Sequence, residues 1–154
     1  MSKETKKELR KLKFEPRKWE EYIDAGCYPY ALDLFCNQFI LVGDFIGKRC
    51  NEKVSDKFLV DTLKEELSFL GYQIKEIDTE YCIKKEYEFK IYLQRDEHTG
   101  YYHFLRQDTS GIWSHKFPKE VPINIDSYGQ LIENPETMIE SPFYGWCFLL
   151  RKTS

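Results

Sequence analysis

The sequence predicts an α+β domain in which N-terminal helices pack on an antiparallel β-sheet. Three observations predict it. Apolar residues recur at helical spacing in the first half of the chain, most clearly over 55–70. From Tyr72 the period changes to alternation. The alternating runs are then separated by short polar turns that contain glycine, the pattern of a meander.

Taken in order, residues 3–13 (KETKKELRKLK) are good helix formers with Leu9 and Leu12 as the only apolar anchors, so 1–16 reads as a peripheral helical arm ended by Pro16. Arg17–Asp24 reads as one or two further helical turns, with Trp19, Tyr22 and Ile23 on one face. Gly26 then breaks the chain, and Pro29 suits a first helical turn. Tyr30, Ala31, Leu34, Phe35, Gln38 and Phe39 have the spacing of a buried helix, expected from about 29 to 40. Residues 41–47 form a loop whose two glycines lack the spacing of a phosphate loop. Ser55–Leu70 is the strongest helix, with Ser55 as N-cap, Gly71 as C-cap and Phe58, Leu59, Leu63, Leu67 and Leu70 as the buried stripe. Strands are expected from Tyr72, over Tyr87–Arg95, Tyr101–Gln107 and Ile112–Lys116, and over Tyr144–Arg151.

The totals narrow the function. With 154 residues, 42% of them hydrophobic, the chain can build one core and not two, so a single domain over 1–154 is expected. A net charge of −3 gives no basic field for nucleic acid. No apolar run approaches the roughly 20 residues of a membrane span. The charged start, without an apolar stretch, does not read as a secretory signal. Five cysteines at 27, 36, 50, 82 and 147 show neither Cys-x-x-Cys nor zinc-ligand spacing, so reduced thiols, no metal and a cytoplasmic location are expected.

Cys27 stands at the mouth of the expected central helix, where unpaired amides and the helix dipole favour a thiolate. A thiolate nucleophile needs a base, and the base needs an acceptor that holds its tautomer. His98 lies in a polar turn. His103 and His115, by contrast, flank one hairpin, with 108–111 at its tip. If Gln107 pairs with Gly111 across a three-residue loop, His103 falls directly opposite His115, on the same face. A register slipped by one residue would put them on opposite faces and leave the orienting role to Asp126 or Asn124. Tyr28, Tyr101, Trp113 and Arg106, with Tyr102 beside them, are the aromatic and cationic candidates for a substrate groove.

Cysteine at a helix start near the N-terminus, then histidine on a strand, then a polar residue on the next strand: this order resembles the papain-like cysteine hydrolase superfamily. The step from His103 to His115 is similar to its compact NlpC-type cell-wall amidase branch, in which the third catalytic group is often histidine. GCYPYAL, YYHFLRQDTSGIWSHKFP and NIDSYGQLIENP also resemble a set of uncharacterised bacterial and viral papain-like proteins, across most of residues 25–136. That set carries an Asn-Cys-Tyr-x-Tyr-Ala helix, a His-Phe-Tyr-Arg-Gln strand and a Trp-Ser-His-Lys-Pro-Gly strand. The resemblance implies Cys27 as nucleophile, His103 as base and His115 as third member. The chain departs from the pattern in two places. Gly26 stands where the set has Asn, and Phe117 precedes Pro118, which is followed by Lys119 in place of Gly.

The expectation is therefore a papain-like thiol hydrolase, a cysteine peptidase or amidase, that cleaves an amide, either a peptide bond or a side-chain carboxamide, in a peptide or protein substrate. No cofactor, nucleic acid or membrane is expected to take part. The alternative is a catalytically altered papain-like scaffold that serves as a binding or inhibitory module in phage or host interaction. A thiol acyltransferase would use the same residues.

Overall fold

Five strands form one antiparallel sheet: β1 (Tyr72–Ile77), β2 (Glu88–Asp96), β3 (Tyr102–Gln107), β4 (Trp113–Ser114) and β5 (Phe143–Lys152), in the order β1-β5-β2-β3-β4. This is a computed structural model, and it describes residues 12–85, 87–138 and 143–153. The α+β layout matches the expectation, but the sheet is not a simple meander. Only β2, β3 and β4 follow one another in space. The closing strand β5 inserts between β1 and β2, pairing Ile74 with Leu150 on one side and Tyr92 with Cys147 on the other. It can do so because its Cys147, Phe148, Leu149 and Leu150 are all buried, the composition of a central strand.

The longest helix, α2 (Asp56–Phe69), has the expected caps. The Ser55 hydroxyl accepts from Phe58 N at 3.1 Å, and Gly71 takes the left-handed conformation at φ +91°. Its buried face is Leu59, Leu63 and Leu67 together with Glu66. Phe58, expected in the stripe, points outward at 45% exposure. These leucines pack with Tyr28, Phe104, Ile91, Leu93, Phe148 and Leu150 on one face of the sheet. The opposite face carries Tyr92, Leu105, Trp113, Ile132 and Cys147.

The N-terminal half departs most from expectation. The helical arm expected over 3–13 lies outside the described residues except for its last two positions, whose carbonyls are tied to the sheet. Leu12 O accepts from Thr109 N at 2.9 Å, and Lys13 O from Arg106 Nη2 at 3.1 Å. Pro16–Tyr22 forms a 3-10 turn around buried Trp19. The central helix expected over 29–40 is only α1 (Cys27–Ala31). Asp33 turns the chain at φ +55°, and Phe35 folds back to stack on Trp19 at 4.5 Å. Side-chain packing wins here because 33–39 is rich in aromatic, Asn, Asp and Cys residues, which gain little from a helix.

The β3–β4 register is shifted by two residues from the one expected. Gln107 pairs with Trp113 and Arg106 with Ser114, so the loop is 108–112. A shift of two preserves faces. His115 is therefore not opposite His103 but diagonal to it, on the same side.

Candidate active site

β4 ends at Ser114, and the chain beyond it pairs outward: His115 bridges Ile123, while Trp113 bridges Ile132. At His103 and Phe104 β3 is therefore paired on its β2 edge, and β4 does not reach them on the other. The start of α1 comes to this edge, and the Phe104 backbone N–H reaches the Cys27 sulfur, which also lies beside the amides of Cys27 and Tyr28. Cys27, His103 and His115 line one cleft of about 840 Å³.

The two imidazoles are bonded to each other, His103 Nε2 to His115 Nδ1 at 2.8 Å. His115 Nε2 lies 3.2 Å from the Ile125 carbonyl oxygen. A carbonyl only accepts, so with both rings neutral His115 carries its proton on Nε2 and offers Nδ1 as an acceptor. His103 must then donate from Nε2, which leaves Nδ1 as its unprotonated nitrogen, the form a general base requires. Phe117 stacks on the His103 ring at 4.7 Å and 11°.

Electrostatics set the resting protonation. Burial, with His115 second, pushes His103 down to about 3. Burial likewise pushes the Cys27 thiol up to about 11, against the three amides and the charge of Lys116. Desolvation of the charged form is the largest cause in both cases; at Cys27 it outweighs the hydrogen bonds, and at His103 the neighbouring ring acts in the same direction. The expected helix-start thiolate is thus not the resting state, because α1 is one short turn and the sulfur is enclosed. Cys27 rests as a thiol and His103 as a neutral imidazole, both in the lining of the same cleft.

Of the other candidates, Tyr28 and Tyr101 line the cleft. Arg106 and Trp113 do not. Arg106 is spent inside the fold, where its guanidinium donates to Asp108 Oδ1 at 3.1 Å and Tyr30 O at 3.0 Å and stacks over the Tyr30 ring. Trp113 is core, at 1% exposure. Asp126 lines the cleft, but its Oδ1 accepts from Tyr128 N at 2.8 Å and Gln130 N at 3.0 Å and holds a turn. Asn124 does not line the cleft; its backbone carbonyl accepts from Ile132 N at 3.1 Å. Of the three candidates for the orienting position, His115 is the one hydrogen-bonded to the His103 ring. The five cysteines are free thiols. Among the described residues, no group of three or more His, Cys, Asp or Glu is placed to hold a metal ion, and no helix is long and apolar enough to cross a membrane.

No family model matches the chain, and no solved structure matches it. Insoluble matrix shell protein 1 of Ruditapes philippinarum is 30% identical to it over 142 residues, spanning 87% of each chain. The chain belongs to the insoluble matrix shell protein 1 family.

In this family member, two parts of the site were not legible in the sequence. Lys116, the residue after His115, is fully buried. Its ammonium donates to Ile23 O at 2.9 Å, Phe117 O at 3.3 Å and Ala25 O, so it holds the loop that delivers Cys27. The available signal was its place next to His115 in extended chain, where neighbouring side chains point to opposite sides. The Ile125 carbonyl, which sets the tautomer of His115, is backbone and leaves no mark in composition.

Proposed function

We propose that this protein is a papain-like thiol hydrolase that cleaves an amide. The observation that carries the reading is the His103–His115 hydrogen bond of 2.8 Å in the cleft that Cys27 also lines. Cys27 attacks the carbonyl carbon while His103 Nδ1 takes the thiol proton and passes it to the leaving amine. His115, fixed by Ile125 O, keeps His103 in the base tautomer. The amides of Cys27, Tyr28 and Phe104 around the sulfur are the donors at hand for the oxyanion.

The test is covalent capture of Cys27 by a carbonyl electrophile. A peptide aldehyde or amide-mimicking electrophile should modify Cys27 ahead of Cys36, Cys50, Cys82 and Cys147 in intact protein, and His103→Ala should slow that step at least about 100-fold. Equal modification of all exposed thiols, unaffected by His103→Ala, would sink the reading.

A second reading is favoured by one observation, the neutral resting pair. A scaffold whose thiol rests at about 11 fits a binding module with altered catalysis, and a family that includes a protein named as an insoluble matrix component fits a structural or binding role. Silent activity together with retained partner capture would support it.

A further inference from the structure

The cleft beside Cys27 is lined mainly by apolar side chains, among them Phe39, Ile40, Leu41, Ile123, Ile125 and Phe143. Three of these stay substantially exposed, Phe39 at 55% and Ile125 and Phe143 at 36% each. Apolar surface left open around a reactive group marks a ligand site. Several of the polar groups in the lining are committed elsewhere. Asn51 Oδ1 accepts from Lys53 N at 2.8 Å, Asp96 Oδ1 from His98 N at 2.7 Å, and Tyr102 donates to Cys50 O at 2.8 Å. Lys116 holds three carbonyls and Asp126 its own turn. A peptide laid in this cleft would bury backbone N–H and C=O groups against a mainly apolar lining, at a desolvation cost for each one left unpaired. An unbranched hydrocarbon chain brings no such groups. The volume of about 840 Å³ suits a ligand larger than a single side chain.

We propose that the substrate of the Cys27 site is a fatty acyl amide, its aliphatic chain lying in this cleft and its carbonyl carbon at the Cys27 sulfur. The proposal rests on the thiol-hydrolase reading and names its substrate. The Cys27 sulfur forms a bond to the carbonyl carbon, and its proton goes to His103 Nδ1. The C–N bond breaks as the amine leaves with that proton, and the acyl group stays on Cys27 as a thioester. Water then adds to the thioester carbonyl, releases the free fatty acid and restores the thiol.

The experiment gives the full chain acetyl, octanoyl and dodecanoyl p-nitroanilides, and the matching p-nitrophenyl esters, below their micelle concentrations. Release of p-nitroaniline should be at least about tenfold faster from dodecanoyl than from acetyl, the gain that burying about two methylenes supplies. The dodecanoyl group should be found on the Cys27 peptide by mass spectrometry, and Cys27→Ser should abolish both signals. Phe39→Asp should flatten the dependence on chain length. Acylation of Cys27 at rates independent of chain length would overturn the substrate assignment and leave the thiol-hydrolase reading standing. A chain-length gain on the esters alone would overturn the amide assignment. No acylation of Cys27 by any of the six compounds would overturn both.

Discussion

The protonation of two residues decides how this site behaves. With its thiol pushed up to about 11, Cys27 holds little thiolate at neutral pH, and that fraction grows about tenfold per pH unit. Iodoacetamide labelling of Cys27 is therefore expected to be slow at pH 7 and to climb steadily through pH 10. A plateau already reached at neutral pH would show a resting thiolate–imidazolium pair instead. His103 gives a second test. Its folded value of about 3 lies below the ordinary 6.5, so the unfolded chain binds the proton that the folded chain refuses. Stability should be fully present above about 6.5 and fall as pH drops toward 3. In urea titrations, His103→Gln should flatten that slope, and an unchanged slope would place the acid sensitivity elsewhere. If the proposed thiol hydrolysis takes place, His115→Ala should cost less turnover than His103→Ala, because an orienter fixes tautomer and angle whereas the base moves the proton. Equal losses would mean the two rings act as one proton-accepting unit.

At the scale of elements, the site depends on how α1 and the loop behind it are tied down. Glu66 on α2 is fully buried, and its carboxylate accepts from Tyr28 OH at 2.6 Å, Gly43 N at 2.8 Å and Phe45 N at 2.8 Å. One side chain thus binds α2 to α1 and to the 41–47 loop. Glu66→Ala should cost about 3 kcal/mol or more, since it strands buried donors as well as removing the bonds. Gly43 admits no side chain: a Cβ there would sit 1.9 Å from Lys48 O, at φ +92°. Gly43→Ala should accordingly destabilise by more than about 2 kcal/mol in the same urea titration. A loss below about 1 kcal/mol in either variant would show that the loop is not held in this way.

The whole molecule closes around its last strand. β5 pairs with β1 from Ile77–Cys147 to Tyr72–Lys152, and with β2 from Asp96–Phe143 to Glu88–Arg151. Every other strand pairing is sequence-local, so the sheet's centre is completed only when the C-terminal segment arrives. Deleting residues 139–154 should abolish the cooperative thermal transition altogether. A sharp transition near that of the full chain would show that β2, β3 and β4 fold with the helices alone.

By itself the sequence determined the period of each strand and the caps of α2, and it singled out Cys27, His103 and His115, which the fold brings to one cleft, because alternation, capping chemistry and side-chain type are local properties. Even the misjudged hairpin loop left the two histidines on one face, since the error was an even number of residues. The tertiary structure alone decided the rest. The length of α1 was settled by Phe35 packing on Trp19, and the place of β5 by competition among strand edges. Arg106 and Trp113 were withdrawn from the site by burial. The states of Cys27 and His103 follow from desolvation, which depends on what surrounds a group in space and has no counterpart along the chain.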